Sequence, residues 1–564
     1  MLNPDYLEHI TDELMRDHIE KAVDDIISDA ARRISKISDA ARRISKTKTI
    51  TETANWQVQK LEQLGAYHDY VLEKLSKAVN MSQDDLLKLF NDVAVETLRE
   101  DDKIYRASGY DPVPLKDNSF MQRLIWSSVE RTNGTLENLT RTTANTATRQ
   151  FERILDQAHF RLASGAFSLQ DVVRWGIKDL ARNGIASIEY PKKPGRDRGH
   201  IDSVDVAFRR ATLTGLNQAG LAVQERRAEE MGCDYVETTA HAGARPSHAL
   251  WQGRVFKLHG SEPGYPNFYE ETGYGTGAGL GGWNCRHGFY PFFPGLSELA
   301  NTKEYLDELN SATVTYNGKE MSMYDATQEQ RRIERNIRRW KREYKALSEN
   351  GQDATEAAVK LRSWRERETD FLKQTELPRQ GSREQVFGFG RSEASSASAA
   401  AREYYSVWSK SLGINESIEI LANYYNVKYN NSPRYELLQK YVKDVTSGWV
   451  SPLAGFGKYE DAHNWIQTEI VGQKTSTGVL ITGQSEHFIQ RVVGTVVDPK
   501  KLKEDLRIIR RSGVEYEDIL DAVVNGKARP IRHNINGNSQ IFYNDNCDVS
   551  INPDTGVLIQ CNKN

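Results

Sequence analysis

Cysteine is scarce in this chain: four residues, Cys233, Cys285, Cys547 and Cys561, among 564. They are too few and too scattered for a disulfide framework, and in the cytosol they should remain thiols. No apolar run approaches the roughly 18 residues of a membrane span, so no membrane partner is expected. Neither sign of charge dominates: 75 Lys and Arg stand against 78 Asp and Glu, a formal net charge of −3. That balance excludes a globally basic nucleic-acid binder, and any such contact needs a local basic patch. The N-terminus, MLNPDYLEHITDELM, has acidic residues where a secretory signal has a basic region and an apolar core. Synthesis in the cytosol is the expectation.

What is present is organisation. The chain is too long for one hydrophobic core, so three or more domains are expected. Residues 1–230 show heptad-like apolar spacing and few prolines, which predicts a helical N-terminal region. Within it ISDAARRISK occurs twice, at Ile27–Lys36 and Ile37–Lys46. Ten residues fall about 80° short of whole helical turns, so the second copy does not continue the face of the first. A duplication in an exposed helix is the simplest account. Arg32, Arg33, Arg42 and Arg43 offer contacts to nucleic acid, but Asp29 and Asp39 dilute them. Residues 203–231 predict a long helix leading to a strand at Cys233–Thr239. Residues 231–300 form a glycine, aromatic and histidine module. In residues 301–384, charged stretches at 326–347 and 353–374 flank Asn350-Gly351, which predicts a helical hairpin with a solvated face. Residues 385–400 are the best linker candidate, on the Ser/Ala-rich run GFGRSEASSASAAA at Gly388–Ala401, although such runs also start helices. Residues 401–480 are read as a connector in which 401–450 predict helices with Tyr404, Tyr405, Tyr424, Tyr425 and Tyr429 on one face; from there the chain reads as β-rich to its end, with residues 481–564 as the last domain. The fold class expected is therefore multidomain: a mostly α N-terminal region, an irregular α+β module, a helical middle, and a small α+β C-terminal domain with an antiparallel sheet.

The module contains HAGARPSHALWQGRVF and, after an insertion, GGWNCRHGFYPFFPG. So many glycines forbid a long helix, which predicts an irregular loop pinned by Trp251, Trp283, Phe289, Tyr290 and Phe292. Embedded in it are His241, Arg245, His248, His259, Asn284, Cys285, Arg286 and His287. Sulfur and imidazole are the ligands zinc prefers, so His241, His248, Cys285 and His287 form a candidate tetrahedral set. The alternative is a hydrogen-bonded polar core that holds the loop closed without a metal, and hence no cofactor.

These two runs resemble the minor capsid proteins of tailed phages, in particular the Mu-F-like minor head family and its minor capsid protein 2 type. Arg245, His248, Gly253, Asn284, Cys285, Arg286 and His287 fill the positions of that family's hallmark. The resemblance implies a phage minor head protein that is made in the bacterial host cytoplasm and resides in the virion head. Its partners would then be the portal and other head proteins.

The C-terminal segment opens with SEHFIQR, where Ser485 is a plausible N-cap and His487 and Arg491 share one helix face. KKLKEDLRIIRR at Lys500–Arg511 predicts a basic helix, and Tyr516–Asn525 another that ends at Gly526. Asn536-Gly537 and Asn552–Gly556 mark two hairpins. If Ile551 faces Val557, Cys547 lies opposite Cys561. Metal-independent RNA cleavage needs a base for the 2′-hydroxyl, an acid for the leaving oxygen and a cation for the phosphate. His487 with Arg491 supplies one such set and Arg532-His533 a second. The order of these elements resembles the toxin domains of the barnase–EndoU–colicin–RelE RNase superfamily. By that resemblance His487 and Arg491 are the helix-borne catalytic pair, and Ser550 and Gln560 line the site from the last strands. RNA would be the substrate and an immunity protein a further partner. Related domains have Ser or Thr near the end of the last strand, whereas Gln560-Cys561 stands there in this chain.

Overall fold

The computed structural model describes residues 4–47, 50–81, 83–164, 166–192, 199–414, 418, 420–494, 513–533 and 537–564. Two compact units result, residues 1–398 and 399–564.

The first unit is built on long helices. Helix Lys21–Thr47 packs against Ile50–Met81, Ser119–Ala163 and Leu169–Asn183. Its contact stripe is Ile26, Ile27, Ala30, Ile34 and Ile37, all buried at helical spacing. The first copy of the repeat is therefore not an exposed helix, because its isoleucines and alanines are core. Asp29 within it pairs with Arg33, whose other nitrogen donates to Gln63 at 3.0 Å. Helix Ser119–Ala163 starts where the Asn118 side chain accepts from the Met121 amide. Leu169–Asn183 starts at a reciprocal Ser168–Asp171 capping box. The N-terminal region is not purely helical: β1 (Ala186–Tyr190) and β2 (His200–Ser203) form an antiparallel ribbon before helix Val204–Glu230.

The module follows that helix. Strand β3 (Tyr235–Thr238) lies between β4 (Val255–Lys257) and β5 (Phe289–Phe292), antiparallel to both, with Val236 opposite Phe256 and Pro291. Trp251, Phe256, Phe268, Leu280 and Phe289 share its core. Trp283 departs from expectation. It is 62% exposed, so the loop is pinned by Trp251 and the phenylalanines instead.

Beyond the hairpin of β6 (Thr313–Tyr316) and β7 (Lys319–Ser322), helices Met323–Glu349 and Thr355–Thr375 pack on each other across Asn350-Gly351. Their charges are not simply solvated. Glu343 is fully buried and accepts from Arg182 Nε at 2.7 Å, while Lys345 donates to Asp24 at 2.6 Å. The Ser/Ala-rich run is helical from Arg391 onward, as part of Arg391–Ser411. Alanine's helix propensity accounts for that.

The second unit has a five-stranded sheet: β8 (Gly483–Gln484), β12 (Val557–Lys563), β11 (Cys547–Ile551), β10 (Gln540–Tyr543) and β9 (Lys527–Ala528), in that spatial order. It is mixed, since β8 joins β12 in parallel. Helix Glu486–Val493 packs on β12, and helix Tyr516–Val524 on β10 and β11. The register differs from expectation. A bulge after Ser550 sets Ile551 opposite Leu558, so Val549 faces Cys561 and Cys547 faces Lys563. All four cysteines are free and buried. One core joins Tyr441, Tyr459 and Ile466 to Phe488, Val549 and Cys561, and so runs across residue 481. The expected basic helix at Lys500–Arg511 lies outside the described residues, as does Asn536 of the first hairpin. No helix among the described residues is long and apolar enough to cross a membrane.

Candidate functional site

His248 sits on the single turn Pro246–Ala249, which starts with proline at its first position, where a missing amide costs nothing. Cys285 and His287 flank Arg286 in the segment entering β5. That segment is fixed by Asn284 in left-handed geometry (φ 55°) and by the Thr239 amide donating to the Gly288 carbonyl at 2.9 Å. Gly279 makes the approach possible, because a Cβ there would lie 2.0 Å from the Gly273 carbonyl oxygen.

The result is a buried triad. His248, Cys285 and His287 are 2%, 8% and 2% exposed. His248 Nδ1 and His287 Nδ1 are 3.4 Å apart, and Cys285 Sγ lies 3.8 and 3.7 Å from them. The outer nitrogens are tied down: His248 Nε2 is 2.9 Å from the Ala278 carbonyl, and His287 Nε2 is 3.0 Å from Gln252 Oε1. Gln252 Oε1 also accepts from the His241 amide, while Gln252 Nε2 donates to Asn310. Both outer partners are acceptors, so both Nε2 atoms carry the proton and both Nδ1 lone pairs point inward.

Burial keeps the rings neutral. It pushes His287 down to about 2, helped by His241 and His248, and lowers His248, while it raises the Cys285 thiol. Trp251 walls the site, 4.7 Å from the His248 ring and 4.8 Å from that of His287. His241, the fourth expected ligand, does not join the three. Its ring stacks on His287 at 4.4 Å and its Nδ1 meets the Ala242 carbonyl at 3.0 Å. The motif residue Arg245 donates to the Trp283 carbonyl at 2.8 Å and closes the loop.

Sequence reasoning missed Gln252 and the Ala278 carbonyl. Gln252 lies four residues after His248, a spacing that could have marked it, whereas a backbone carbonyl leaves no trace in sequence. Also missed was a cavity of about 330 Å³ lined by Cys285, Arg286, Arg209, Arg331, Arg335 and Arg383.

In the second unit few of the proposed residues touch one another. His487 is exposed on helix Glu486–Val493, its ring 5.1 Å from Trp449 and its Nδ1 2.9 Å from Gln490 Oε1. Gln490 Nε2 donates to Asp444 at 2.8 Å, which fixes the amide and makes His487 Nδ1 the donor. Arg491 is half-buried one turn on. Arg532 pairs through its backbone with Ser539, and His533 Nδ1 meets Asn538 at 2.8 Å. Ser550 and Gln560 are cross-strand neighbours, the first buried and the second exposed. Among the described residues, no hydrogen bond, ion pair or ring contact joins His487 to Arg491, Arg532, His533, Ser550 or Gln560.

The model of a family described as "Phage minor capsid protein 2" matches residues 2–373. A "Structural protein" of Lactococcus phage LL-H is 27% identical over 330 residues, covering 55% of this chain and 82% of that protein. A "Structural protein" of Lactococcus phage mv4 is 36% identical over 95 residues, 17% of this chain and 68% of that protein. No solved structure matches.

Proposed function

Because the chain belongs to the phage minor capsid protein 2 family, we propose that residues 1–398 are an architectural body that docks against other proteins of the phage head. The chain is a component of the virion. Residues 399–564 are then an appended module that the body carries. One observation carries this reading: the family match ends at residue 373, close to the end of the first compact unit. The portal is the partner expected for such a body. Cross-linking mass spectrometry on purified virions tests the proposal. Links from residues 1–398 to portal or other head proteins are expected, and their absence from particles that contain the chain would overturn it.

A second reading gives the module an activity: metal-independent RNA cleavage, with an immunity protein as its inhibitor. The arrangement of Asp444, Gln490 and His487 favours it. With Nδ1 directed at Gln490, Nε2 is the ring nitrogen left to take a proton on an exposed side chain, as a general base requires. Against it stands the lack of a direct contact between His487 and the other candidate groups among the described residues. Incubating the full chain with RNA in EDTA, beside His487→Ala, decides between carrier and enzyme. No cleavage by either protein is the outcome expected of a carrier, whereas cleavage by wild type alone would establish the nuclease and make His487 its base.

A further inference from the structure

We infer that His248 Nδ1, Cys285 Sγ and His287 Nδ1 form a zinc(II) site that staples the turn Pro246–Ala249 to the segment entering β5. The distances support it. Zinc bonds of about 2.0 Å to nitrogen and 2.3 Å to sulfur, at tetrahedral angles, place two nitrogens about 3.3 Å apart and a sulfur about 3.6 Å from each. The triad shows 3.4, 3.7 and 3.8 Å.

The proton count supports it independently. The acceptors at Ala278 and Gln252 hold both imidazole protons on Nε2, so two Nδ1 lone pairs face each other in a buried space. One thiol proton satisfies one of them and leaves the other unmet, which is costly away from water. A single cation satisfies all three donors. The same two acceptors are the outer partners that ligating histidines need to fix ring orientation. Two imidazoles and a thiolate without a carboxylate suit zinc and disfavour magnesium or calcium. On binding, the Cys285 S–H proton leaves to solvent, the sulfur bonds the metal as thiolate, and no redox change occurs.

The test uses the full chain, purified, dialysed against zinc and then against buffer, with metal measured by plasma mass spectrometry. About one zinc per chain is expected. Loading with cobalt(II) in place of zinc should give a sulfur-to-cobalt charge-transfer band. Cys285→Ser should abolish that band and lower zinc content at least tenfold, while Cys561→Ser, in the other unit, should keep both. If Cys285→Ser does not fold, the wild-type stoichiometry and cobalt spectrum still decide. Less than about 0.1 zinc per folded wild-type chain, or a cobalt complex without a thiolate band, overturns the site.

Discussion

Asp205 shows what single residues do in this molecule. It lies at the start of helix Val204–Glu230 with Arg338 at 3.3 Å and Arg342 at 3.4 Å, the latter 137 residues away in sequence. Burial alone would raise its carboxyl, but Arg342, then Arg338 and the Ser203 hydroxyl, hold it down at about 2, below the ordinary 3.8. Its stabilisation is therefore complete above about pH 3.8 and lost as pH falls through about 2. Asp205→Asn leaves two half-buried guanidinium groups without this counter-ion and should cost about 3–5 kcal/mol at neutral pH. Thermal unfolding should show the gap between variant and wild type narrowing from pH 4 to pH 2. A gap that does not change with pH would mean the carboxylate is not what these arginines hold. Gly279 gives a second expectation. Gly279→Ala forces a methyl against the Gly273 carbonyl and should lower stability by about 2–4 kcal/mol, read as a lowered urea midpoint. The residues of the triad were legible in sequence because His248, Cys285 and His287 are unusual chemistry in a glycine-rich frame. Asp205 was not. One acidic residue in a helix looks the same whether its partners are distant arginines or water.

At the scale of elements, the charged hairpin shows where pattern reading succeeds and where it stops. Asn350-Gly351 marked the break between its helices, and Gly351 takes the left-handed conformation there (φ 64°). The fate of the charges was not readable, because balanced Glu and Arg suit a solvated face and a buried ion-pair network equally. The buried side chains Ile333, Ile337, Trp340 and Tyr344 share helix Met323–Glu349 with buried Glu334, Lys341 and Glu343. Glu368 goes further. Burial, then a hydrogen bond and repulsion from Glu384, raise its carboxyl to about 8, while Glu384, held by Arg379, is lowered. The pair thus keeps one proton near neutrality. A carboxyl raised in the folded state contributes stability below its unfolded value of about 4.5 and loses it as pH rises through about 8. Glu368→Gln, which keeps the hydrogen bond and cannot ionise, should match wild type near pH 5 and melt about 1–3 °C higher at pH 9. Calorimetry at the two pH values checks this, and equal melting temperatures at pH 9 would show that the two carboxyls do not share a proton.

At the scale of the whole molecule, the sequence divides more readily by composition than by core. Residues 401–480 look like a connector and residues 481–564 like a separate β-rich domain, yet apolar contacts ignore that border. Tyr441, Tyr459 and Ile466 from one side are buried with Phe488, Val492 and Leu558 from the other. Asp444 fastens the same border by accepting from Tyr459 Oη and from Gln490 Nε2, both at 2.8 Å. A parallel strand of two residues, β8, adds to the sheet edge after the chain has crossed 481. Such long-range closure cannot be seen in periodicity, which reports only what lies within a few residues. A piece spanning residues 391–564, with helix Arg391–Ser411 whole, should therefore unfold in one cooperative transition. Residues 481–564 alone should not, because truncation exposes Phe488, Val492 and Leu558 and removes the partner of Gln490. Burying each of those apolar side chains stabilises by about 1.5–3 kcal/mol, so losing several exceeds the few kcal/mol a domain of that size has in reserve. Far-UV circular dichroism melts of the two pieces separate the possibilities. A cooperative transition in 481–564 alone would make the border at 481 a true domain boundary and the shared core a mere docking contact.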